Sequence, residues 1–187
     1  MSDTIESYFG KGVKFMDEAL EHLARELTKI RTGKASTQML DGIMVDYYGN
    51  PTPISQVANL NAVDSKTITI QPWDKSALGG IEQAIFAANL GLTPMNDGEF
   101  IRISIPPLTE ERRIDLVKQS KSLGEETKVS IRNTRHKIVD FVRKEVKEGY
   151  PEDAGKRKEK EAQELTDKYT HKVDDLIVAK EKDIMTV

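Results

Sequence analysis

The chain has 187 residues, 32% of them charged and 37% hydrophobic, with aromatic residues at only 6%. That is room for one large domain or two small ones, much of it solvated surface, and it argues against a large mixed core. The absence of cysteine excludes a disulfide framework, thiolate metal sites and a cysteine nucleophile.

From the start of the chain, Met1-Ser2-Asp3-Thr4-Ile5-Glu6 is acidic and has neither a signal-type apolar stretch nor an arginine-rich presequence. No later run approaches the roughly 20 apolar residues of a membrane span, so a soluble, cytoplasmic protein is expected. Ile5, Phe9, Val13, Met16, Leu20, Leu23, Leu27 and Ile30 alternate steps of three and four, the stripe of a helix packed along its whole length. Asp3 followed by Glu6 has capping-box spacing and predicts the helix start. Gly10 and Gly12 lower helicity locally by about 1 kcal/mol each, but the stripe runs through them.

From Arg31 to Pro107 the period changes. This stretch holds most of the glycines and all but one of the prolines. Residues 43–48 predict a strand that ends at Gly49-Asn50-Pro51; residues 67–71 predict a second, stopped by Pro72; residues 99–105 predict a third after the turn Asn96-Asp97-Gly98. Between the last two, Leu78, Ile81, Ile85 and Ala88 mark a short helix closed by Gly91. From Thr109 the helical period returns through Leu116, Leu123, Thr127, Ile131, Thr134, Ile138 and Phe141, breaks near Gly149-Tyr150-Pro151, and resumes through Ala162, Leu165, Tyr169, Val173, Leu176 and Ile184. Helices this long are stable only when packed together. The predicted fold class is therefore α+β: a three-helix bundle from residues 1–30 and 106–187, interrupted by a small β/α/β domain at 31–105. The chain crosses between them at Arg31-Thr32-Gly33 and Ile105-Pro106-Pro107, where two connections and paired prolines predict a hinge with a preferred axis.

Chemistry of the enzymatic kind is not expected. His22, His136 and His171 fall one to each long helix without metal-ligand spacing, no GxSxG is present, and Gly10-Lys11-Gly12 lacks the phosphate-loop pattern. No cofactor or metal is expected. The informative feature is charge. The net charge of −3 hides eleven Lys and Arg against five Asp and Glu between Arg112 and Lys147. Lys121, Lys128, Arg132 and Arg135 fall within about 60° of one another on a helix, and Lys118 and Arg143 flank them. We read this row as lying roughly opposite the apolar stripe, facing solvent, where a rigid line of cations suits the phosphates of folded RNA. No aromatic residue interleaves the row, so base stacking on it is not expected. The competing readings are a solubilising face on a highly charged helix and a helical protein that docks other proteins.

Several spaced segments together resemble the ribosome recycling factor family over essentially the full chain: Arg31-Thr32-Gly33-Lys34-Ala35-Ser36, Gln71-Pro72-Trp73-Asp74, Asn89-Leu90-Gly91-Leu92-Thr93-Pro94, Ile105-Pro106-Pro107-Leu108-Thr109-Glu110-Glu111-Arg112-Arg113 and Ile131-Arg132-Asn133. The resemblance implies an L-shaped, monomeric protein that binds the large ribosomal subunit through 23S rRNA. With GTP-bound elongation factor G it would disassemble the post-termination complex, and it implies no membrane or DNA partner. Carried over, Arg132 is the leading rRNA contact, assisted by Arg135, Lys121, Lys128, Arg112 and Lys118. Salt bridges inside the bundle are the alternative for Arg112 and Arg113. Arg31, Thr32, Gly33 and Pro106 map onto the family hinge, and Trp73 is expected as core rather than contact. His136, where an arginine is common, and Tyr150-Pro151 depart from the family pattern.

Overall fold

The computed structural model describes residues 4–186. The chain divides into two compact units, Met1–Thr32 with Glu110–Val187, and Gly33–Thr109. The first helix, α1, spans Ile5–Thr28. Asp3 of the expected capping box lies outside the described residues; the cap observed begins at Thr4. The Ser7 amide donates to Thr4 Oγ1 at 3.1 Å and the Thr4 amide donates to Ser7 Oγ at 3.0 Å, which satisfies two otherwise orphaned donors.

In the inserted unit, β1 (Met44–Tyr47) and β2 (Asn50–Pro53) pair as a hairpin turned at Tyr48-Gly49. A single helical turn, α2 (Ile54–Val57), leads into β3 (Ala58–Ala62) and β4 (Thr67–Pro72). The helix α3 (Leu78–Ala87) precedes β5 (Thr93–Asn96) and β6 (Ile101–Ser104). The larger sheet runs β3-β4-β6-β5, antiparallel throughout, with Ile68 opposite Ile103 and Ile70 opposite Ile101. Those four isoleucines are completely buried against Ile81 and Ile85 of α3, with Leu40 and Val45 beside them, and make this unit's own core.

Trp73 corrects the expectation of a core residue. It is 70% exposed. Its amide bonds Val57 O at 3.0 Å, so the backbone is tied to the sheet while the indole points outward. Asp74 does serve the unit structurally: it caps the following 3-10 turn at Ser76 and accepts from Tyr48 Oη at 2.6 Å, which holds its carboxyl below the usual carboxylate range.

The remaining helices are α4 (Glu110–Lys147) and α5 (Glu152–Met185). At 1.5 Å per residue α4 is roughly 57 Å long. With α1 they form a three-helix bundle whose core joins Met16, Leu23 and Leu27 to Ile131, Tyr169 and Val173. A second cluster gathers Ile5, Ile138, Val142 and Ala162. Helix spacing is set by small residues. A Cβ on Gly12 of α1 would come within 2.5 Å of Ile138 Cδ1, and one on Gly124 of α4 within 2.8 Å of Ile177 Cγ1, so glycine allows close approach at both seams. Ser120 and Thr127, buried in the same stripe, return their hydroxyls to the Leu116 and Leu123 carbonyls at 3.0 Å each. The rings of Tyr8 and Phe141 stack at 4.3 Å across α1 and α4. Tyr169 Oη donates to Asp17 at 2.5 Å, linking α5 to α1; burial, then this carboxylate, push the phenol up to about 12.

Candidate nucleic-acid interface

The cation-rich helix is α4, and its register decides where each charge goes. Buried Leu116, Ser120, Gly124, Thr127, Ile131, Ile138 and Val142 define its inward side. Lys121, Lys128, Arg132 and Arg135 stay together on one side of the helix, but that side is not opposite the buried stripe. It flanks the stripe along the α4–α5 seam: Lys121, Lys128 and Arg132 each follow a buried residue by one position, about 100° round the helix, which sets them at the edge of the buried side. Lys121 Nζ lies 3.7 Å from Glu181, Lys128 Nζ 2.5 Å from Asp174 and Arg143 Nε 2.9 Å from Glu159. Each step along α4 from Lys121 to Lys128 to Arg143 is matched by an equal step back along α5, as antiparallel helices in fixed register require. Arg135 Nη1 donates to Gln163 Oε1, and the Gln163 amide donates in turn to Asp167.

The four cations are therefore not equivalent. Lys128 has only 20% of its side chain exposed; it touches Glu125 at 3.6 Å as well as Asp174, and its ammonium is held above the ordinary lysine range, first by the hydrogen bond to Asp174. Arg132 is 51% exposed. Its contacts are Glu125 at 3.6 Å and the Lys128 carbonyl at 3.3 Å, both on its own helix, so among the described residues no partner helix ties its guanidinium down. Lys118 and Lys121 are exposed. Arg112, also exposed, lies on the other flank of α4, well round from the row. Arg113 turns inward, its Nε buried and unpartnered among the described residues. His22, His136 and His171 are all exposed, and the described residues hold no cluster of three or more potential metal ligands.

At the expected hinge, Ile105 is part of the sheet unit's core and its amide bonds the Lys66 carbonyl at 2.7 Å. Pro106 and Pro107 are exposed, while Leu108 packs on Gly33, where an added Cβ would meet its Cγ at 3.1 Å. No helix is long and apolar enough to cross a membrane among the described residues.

A bundle of long helices with a cationic flank on α4, interrupted by a small antiparallel α+β unit, defines the fold class. The comparisons narrow that class. A family profile described as ribosome recycling factor matches residues 23–185. The ribosome-recycling factor of Porphyromonas gingivalis is 50% identical over 184 residues, covering 98% of this chain and 99% of that one. A solution structure of the ribosome recycling factor matches all of both chains at 40% identity with a TM-score of 0.76. The Thermus thermophilus ribosome recycling factor, in a model with Escherichia coli elongation factor G bound to the E. coli post-termination complex, matches 98% of this chain and 100% of that one at 40% identity and a TM-score of 0.63. The chain belongs to the ribosome recycling factor family.

Proposed function

We propose that this chain recycles ribosomes: it binds the large subunit through 23S rRNA after termination and, with elongation factor G and GTP, takes the post-termination complex apart. The observation that carries this reading is family membership over almost the whole chain, including a relative placed with elongation factor G on a post-termination complex in a model of that assembly. The helical bundle supplies a rigid phosphate-facing edge. Arg132 leads it, because it is exposed and held only by its own helix. Lys118, Lys121 and Arg135 extend that edge, Arg112 adds a cation on the other flank of α4, and Lys128 acts mainly by keeping α4 and α5 in register with Asp174. Arg31, Thr32 and Gly33 on one connection, and Pro106 and Pro107 on the other, form the hinge, with Ile105 anchoring its end in the sheet core. The chain carries no catalytic group; nucleotide hydrolysis belongs to the elongation factor. It works as a monomer in the cytoplasm.

The direct test is a subunit-splitting assay on post-termination ribosomes. Splitting should require this protein, elongation factor G and GTP together. Splitting that proceeds equally without the protein, or none with all three, would overturn the proposal.

A further inference from the structure

The groove between α1 and α4 changes character along its length. Near the Tyr8–Phe141 stack it opens into a notch of about 200 Å³, floored by Tyr8, Gly12 and Ile138 and rimmed by Lys11, Lys137 and Phe15. Phe15 is 62% exposed, a full aromatic ring left in solvent at the edge of an apolar floor. Further along the same groove the next hollow is lined by Glu26 and Glu126 with His22. The first hollow has two lysines and no carboxylate in its lining; the second has two carboxylates. Charge alone makes the first hollow the better of the two for an anionic ligand.

The size and chemistry narrow the ligand further. A cavity of roughly 150 Å³ accepts a benzene ring, so this notch suits one heterocyclic ring system. An apolar floor with an aromatic rim holds a flat ring, and lysines on both helices hold the phosphates on either side of it. We propose that the notch formed by Tyr8, Gly12, Phe15 and Ile138, flanked by Lys11 and Lys137, receives one unstacked base of the RNA that the protein binds. This rests on the RNA-binding reading above and adds to it: α4's row grips phosphates without reading bases, whereas the α1–α4 notch takes a base. The notch opens on the α1 side of α4 and the row on its α5 side, so the two would meet different stretches of RNA.

The test uses the full chain and large ribosomal subunits, with affinity measured across a salt series. Phe15→Leu keeps apolar bulk and removes the ring, and should bind roughly ten-fold more weakly, the loss of one stacked base, at every salt concentration and with an unchanged log–log slope. Lys11→Gln combined with Lys137→Gln should lower the slope by about 1.5, two phosphate contacts' worth. Phe15→Ala should match Phe15→Leu, and both should melt like wild type because Phe15 is exposed. Wild-type affinity in Phe15→Leu would overturn the notch while leaving the phosphate row standing. A wild-type protein whose binding ignores salt would instead overturn the parent reading. Poly-glutamate competing as well as poly-adenylate at equal charge would assign the notch to acidic protein and overturn the base.

Discussion

The two seams of α4 are closed by different physics. Toward α5 its cations meet carboxylates in register: Lys121 with Glu181, Lys128 with Asp174, Arg143 with Glu159. Toward α1 the contact rests on close approach at Gly12 and on the stack of Tyr8 and Phe141. The same basic helix thus uses part of its charge to fix a neighbour and leaves part available. Exposure and partner together tell which is which: Lys128 is mostly covered and doubly paired, while Arg132 is half exposed and answers only to its own helix.

The largest effect comes from overfilling the seams. Gly12→Leu and Gly124→Leu should each cost about 2 kcal/mol in urea unfolding, independent of salt, because each forces a side chain into a buried isoleucine. Equal stability to wild type would mean the helices can part at no cost. The next effect is on pH dependence. Tyr169 keeps its proton to about 12 in the folded state, above its value in the unfolded chain. Its contribution is therefore complete below the unfolded value near 10, and is lost as pH rises toward 12, by an amount on the order of 2 kcal/mol. Wild type should lose stability across that window more steeply than Tyr169→Phe; parallel curves would remove the Asp17 link from the account.

Smaller effects separate the two kinds of cation. Lys128→Met should cost about 1 kcal/mol, shrinking as salt is raised, since it removes a mostly covered lysine from two carboxylate partners. Arg132→Ala should leave stability within about 0.5 kcal/mol of wild type, as exposed substitutions do. Reversal of these two results would exchange the roles of the residues.

The long helices were legible because apolar stripes on helices this long leave little ambiguity. The strands at 44–47, 67–72 and 101–104 were legible where β-branched residues alternate. Missed were β2, whose Asn50-Pro51-Thr52-Pro53 reads as a turn, and β3 and β5, which lie at sheet edges and expose most of their residues. Edge strands carry only half the burial pattern. Trp73 was misplaced because a lone tryptophan after a strand has no period to give its direction. The cation row was found as a row, but its facing was misjudged: Lys128 and Arg135 sit beside α5, and only coordinates supply the acids and amide waiting there. Phe15, off its helix's main stripe, carried no signal until Lys137 of another helix came beside it.

The central claim is that α4 divides its charge between holding α5 and gripping RNA, and one measurement addresses it directly: large-subunit affinity across a salt series for wild type, Arg132→Ala and Lys128→Met. The account predicts that Arg132→Ala weakens binding and lowers the log–log slope by about 0.7–0.9, one phosphate contact, with melting unchanged. Lys128→Met should lower the melting temperature and leave the slope near wild type. Identical slopes in wild type and Arg132→Ala, or an Arg132→Ala protein that unfolds, would contradict it.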